Sequence, residues 1–218
     1  EPKSEFPLKI IVIDNTMDEA DKPVKEGIFG HGSLNNGRYD WLMSQLKAGQ
    51  EEGKLMIIAA HIPIGVEENS PMDWNISSGY SSQRDLIKQL QSFPNLLLWV
   101  SGHRHLNTVT AFPSKDVSHP ENAFWEVETK SLREFPQQFR TFDVVLNNDN
   151  TISIFTVNVD PEVEEGTAPW ISRSYALASN QIYGLSEAPQ PTGNVSYNAE
   201  LVKMLSPEMA EKLSGLKK

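Results

Sequence analysis

Cysteine is absent from all 218 residues. That removes disulfides and thiolate metal sites together, so any bound metal must rely on imidazole, carboxylate, amide or water ligands. The same absence leaves the compartment open, exported or cytoplasmic alike. No apolar run approaches the ~20 residues a membrane-spanning helix needs, and no charged-then-apolar leader is legible near the start. Positive charge is scarce: 19 Lys and Arg against 29 Asp and Glu give a formal charge of −10. The lack of a basic stripe to neutralise phosphates argues against a nucleic-acid backbone as the main partner. No repeat recurs at a fixed period. The Gly-rich loop between Asn15 and Asn35 lacks the Gly-Lys-Ser/Thr ending of a phosphate cradle.

What is present is an ordinary globular composition, 39% hydrophobic and 22% charged, organised around Leu96–His105, which reads LLLWVSGHRH. The unbroken apolar run predicts a strand buried on both faces. It stops at Gly102, expected to turn the backbone sharply, followed by His103 and His105 on either side of Arg104. A second such strand, Leu55–Ala60, runs into His61, Ile62 and Pro63. A third apolar run, Leu8–Ile13, ends at Asp14.

Between the runs lie helical patterns. Tyr39, Leu42, Met43 and Leu46 follow i, i+3, i+4, i+7 spacing and predict a helix over 36–52 ended by Gly53. A second helix is expected over 82–92, with Ser82 as N-cap, Asp85 in the first turn and Leu86, Ile87 and Leu90 facing inward. Strand, helix, strand predicts parallel pairing of the Leu55 and Leu96 strands. Their carboxyl ends then share one edge of the sheet, where α/β proteins bind ligands. His61, His103 and His105 are thereby gathered as candidate metal ligands. Two residues admit two readings each. Arg104 either grips phosphate bidentately or points away; Asp14 either substitutes as a ligand or makes a strand-end turn with Asn15. His31 and His119 are read as solvated loop residues.

Beyond the histidines, alternation predicts half-exposed antiparallel strands at 106–112, 123–129, 139–146 and 151–159, forming part of a second sheet, with Asn147–Asn150 as a hairpin turn. Residues 172–183 read as a helix or an ordered wrap. Two short helices are expected at 198–205 and 207–216, the latter capped by Ser206 with Pro207 in its first position. Tyr175, Tyr183 and Tyr197 read as packing anchors.

Ala60-His61-Ile62-Pro63 and Gly102-His103-Arg104-His105 resemble the fourth and fifth signature blocks of the calcineurin-like metallophosphoesterases, and the segments Phe124–Thr129 and Pro136–Arg140 are similar to bacterial members. The resemblance implies an α/β fold with mixed sheets, half of a four-layer αββα sandwich. Residues 1–160 would be the carboxyl-terminal part of the phosphoesterase domain, and 161–218 an extension of short helices wrapping it. It implies hydrolysis of phosphate mono- or diesters by two divalent ions (Mn, Fe or Zn), His61 and His103 holding one and His105 the other.

The family's first three blocks (Asp-x-His, Gly-Asp-x-x-Asp and Gly-Asn-His) are missing, so no catalytic residue is assigned to this chain. The expected partners are a phosphate ester and the amino-terminal half of the same domain. An apolar face left uncovered without that half is expected to promote self-association. The alternative is a noncatalytic α/β binding module with a vestigial or structural histidine site.

Overall fold

The structure, a computed structural model, describes residues 6–16, 32–64, 83–183 and 198–216. His31, Ser82 and Tyr197 lie outside these residues, as does the side chain of Tyr183. The fold is α/β. Its main sheet has five strands in the order β1-β2-β3-β5-β4, made of β1 (Leu8–Val12), β2 (Leu55–Ala59), β3 (Leu96–Ser101), β4 (Thr108–Phe112) and β5 (Phe124–Glu128). β1, β2, β3 and β5 run parallel, and β4 returns antiparallel to β5. A second, antiparallel sheet has the order β6-β7-β8, from β6 (Phe139–Leu146), β7 (Thr151–Val159) and β8 (Ala199–Met204).

Helices α1 (Asn36–Glu51) and α2 (Gln83–Leu90) cover one face of the main sheet. Leu42, Leu46, Leu86 and Leu90 pack there on Ile11, Met56, Ile58 and Trp99. The other face meets the second sheet through Leu55, Ile57, Leu98, Val127, Ile152, Ile154 and Leu201. The register of β2 on β3 shifts between Met56 and Ile57, consistent with Leu97 and Leu98 both joining the inter-sheet core. Asn35 caps α1 through its side chain, and Gly53 follows the helix with φ +60, the left-handed residue that ends many helices. Among the described residues no helix is long and apolar enough to cross a membrane.

Several expectations change. Among the described residues β1 is an edge strand and not fully buried: Ile10 and Val12, on the inter-sheet face, are 50% and 70% exposed. β4 and β5 belong to the main sheet, and β5 is parallel to β3. The alternation of Phe124–Glu128 suggested a wet face, yet Glu126 and Glu128 are fully buried and accept hydrogen bonds from protein groups.

Residues 199–204 form β8, not a helix. Ala, Glu, Leu, Lys and Met all favour helices, but β7 offers a free ladder, and alternate burial of Leu201 and Lys203 against exposed Glu200, Val202 and Met204 suits a pleated strand. Helix α3 (Ala168–Tyr183) starts earlier than expected, and Tyr175, 73% exposed, anchors nothing. α4 (Pro207–Leu213) matches its expectation, with Ser206 accepting a bond from the Met209 N–H. The Asn147–Asn150 turn also forms, its Asp149 carboxylate accepting from the Thr151 N–H and hydroxyl.

A candidate metal centre at the strand ends

Parallel pairing brings the ends of β2 and β3 together. The Ala60 N–H donates to Val100 O, and the Gly102 N–H donates to His61 O. The two histidine-bearing turns therefore lie side by side. His103 Nδ1 is 3.1 Å from His61 Nε2, the rings meeting edge to face at 4.9 Å between centroids. Two ligands ~2.0–2.1 Å from one ion stand about 3.3 Å apart in a tetrahedral shell and about 2.9 Å apart at a right angle. The observed separation fits two positions on a single ion. It equally fits an N–H···N bond, one ring donating in the tautomer that allows it.

The backbone of this turn differs from the expectation. Gly102 is not in the left-handed region, and a Cβ there would meet nothing within 4 Å. The left-handed residues are the histidines themselves, His103 at φ 73 and His105 at φ 56. Histidine tolerates this region better than most side chains but still carries strain, which the surroundings must hold.

Buried polar side chains do that holding. Glu128 accepts from the Arg104 backbone N–H at 3.0 Å, from Arg104 Nε at 3.2 and 3.1 Å, and from Arg104 Nη2 at 2.6 Å. The pair is almost wholly buried. Burial pushes the Glu128 carboxyl up, and the Arg104 contacts oppose that rise. On the other turn, the buried Asn15 side chain accepts from the His61 and Ile62 N–H groups at 3.1 and 2.9 Å and donates to Ile62 O at 2.8 Å. Glu126 accepts from the Ile64 N–H at 2.7 Å.

Arg104 thus spends its bidentate fork on Glu128. His105 turns its Nδ1 toward Glu134, 2.8 Å from Oε2, both half-exposed. Asp14 is exposed and makes its turn with Thr16, accepting from that residue's N–H and hydroxyl. His119 is exposed as expected but bonded to Glu121 at 2.9 Å, which raises its pKa.

Sequence reasoning missed Asn15, Glu126 and Glu128. The available signal was two glutamates at i, i+2 inside an otherwise apolar strand, a pattern that reads as a solvent face unless the strand is central. As for a metal, the separation of the His61–His103 pair matches two ligand positions on one ion. The pair alone is not a complete site: among the described residues no three His, Cys, Asp or Glu side chains cluster so as to hold a metal ion.

No family model matches this chain, and no curated protein matches it. Among solved structures, it is similar to a dimetal phosphatase from Danio rerio at a TM-score of 0.39 and 14% identity, over 56% of this chain and 35% of that one. The chain thus spans about a third of that structure's length.

Proposed function

We propose that this chain supplies the last metal-ligand blocks, His61 with His103 and then His105, of a phosphoesterase that hydrolyses phosphate mono- or diesters, and that it is inactive alone. The observation that carries the reading is the 3.1 Å approach of His61 Nε2 and His103 Nδ1 at the carboxyl ends of two parallel strands. It unites residues 42 positions apart in the two motifs that resemble the family's final blocks.

His61 and His103 would hold one ion. A divalent ion at such a centre supplies Lewis-acid polarisation of a phosphoryl oxygen. The chain's own residues orient the imidazoles through Asn15 and Glu128. Three neutral imidazoles do not balance two divalent charges, so bridging carboxylates and the second ion's remaining ligands are assigned to an amino-terminal half. His105, whose Nδ1 faces Glu134, would be the ligand this chain offers to the second ion.

The test is turnover of p-nitrophenyl phosphate and its bis ester by the full-length protein with Mn, Fe or Zn. His103→Ala abolishes turnover on this reading, and unchanged activity refutes it. A second reading, a noncatalytic module with a vestigial histidine site, is favoured by the incomplete donor set. It predicts metal binding without hydrolysis even in the full-length protein.

A further inference from the structure

We propose that Asn15 and Glu128 are positioning residues that hold the His61 and His103 nitrogens at ligating distance before any ion arrives. The inference rests on the metal-centre reading above and deepens it. Each residue grips the backbone of one histidine turn. Asn15 follows β1 and uses its amide as both acceptor and donor on His61 and Ile62. Glu128 ends β5 and binds the Arg104 N–H, the peptide joining His103 to its neighbour, while the Arg104 guanidinium locks the carboxylate from the side.

Thr108 adds a hydroxyl contact to the same carboxylate at 3.3 Å. Both side chains are fully buried, 0% exposed, so water does not compete for these bonds. Their position matters because His103 sits in a left-handed conformation. A peptide in that region relaxes toward an ordinary one when its restraint is removed, and the imidazole swings with it. A pair of ligands fixed in advance binds an ion without the cost of ordering them.

The experiment uses Asn15→Ala and Glu128→Gln, with Leu201→Ala as a control that destabilises the inter-sheet core away from the histidines. Three quantities are read on the whole chain: the urea midpoint, Co²⁺ affinity by titration calorimetry, and, with no metal present, the nuclear Overhauser contact between the His61 and His103 rings. Removing partners that orient metal ligands typically costs about 10–100-fold in affinity.

Asn15→Ala and Glu128→Gln should each weaken Co²⁺ binding at least about tenfold and abolish the ring contact. Leu201→Ala should lower the midpoint and leave both unchanged. Wild-type affinity and an intact ring contact in the two variants overturn the proposal, as does equal loss in Leu201→Ala. If the wild-type chain binds no Co²⁺, the metal-centre reading fails while the metal-free ring contact still decides the positioning role.

Discussion

At the scale of single residues, the charged groups taken out of water in the site and the core are answered by protein partners, as the cost of burying them demands. Glu128 is answered by Arg104, and Arg140 by Thr156 and Asn107. Lys203 is the most testable example. Its ammonium donates to Glu121 O and Ala123 O, both at 2.5 Å, and burial pushes its pKa down to about 7 despite the attraction of Glu121. In the unfolded chain a lysine titrates near ~10.4.

Between those values the unfolded chain binds more protons than the folded one, so stability rises with pH across that window. Lys130, lowered by burial as well, acts in the same direction. Urea midpoints should therefore increase from pH 7 to pH 9, and Lys203→Met should flatten the rise. A falling midpoint in the parent chain, or an equal rise in the variant, contradicts this account of Lys203.

At the scale of elements, the sequence was most legible where the pattern was unambiguous. The unbroken apolar runs of β2 and β3, the α1 stripe and the Ser206-Pro207 start of α4 all lie where spacing and capping put them. Leu55–Ala59 and Leu96–Ser101 pair in parallel, and that pairing joins His61 to His103. The rest was illegible because tertiary partners decided it. β8 is made of helix formers drawn into a strand by the open edge of β7. β5 carries buried glutamates whose partners come from residues 20 to 62 positions away in sequence. No local pattern records such distances.

Two substitutions probe these elements. Leu201→Ala should cost about 2–5 kcal/mol in urea unfolding, because Leu201 is buried between the sheets; a loss under about 1 kcal/mol would place β8 outside the core. Ser206→Ala should cost about 1 kcal/mol by removing the bond from Met209 N, and no change would show that this cap contributes nothing.

At the scale of the whole molecule, the described fold is three-layered: helices, main sheet, second sheet. Ile10 and Val12 remain open on the inter-sheet side, and among the described residues β1 pairs with a strand on one edge alone. Such an edge templates further pairing. Light scattering should show mass rising with concentration, and Val12→Lys should suppress the rise; a concentration-independent monomer would argue against exposure of β1 as an association site.

The same edge lies beside the histidine pair, since Asn15 just beyond β1 grips the His61 turn. The central claim, that the ends of β2 and β3 make one ion's half-site, is tested most directly by imidazole ¹⁵N spectra during Zn²⁺ titration. The account predicts that His61 Nε2 and His103 Nδ1 shift together and saturate at one ion per chain while His119 stays fixed. Resonances of His61 and His103 that remain in place, or that move independently of each other, would contradict it.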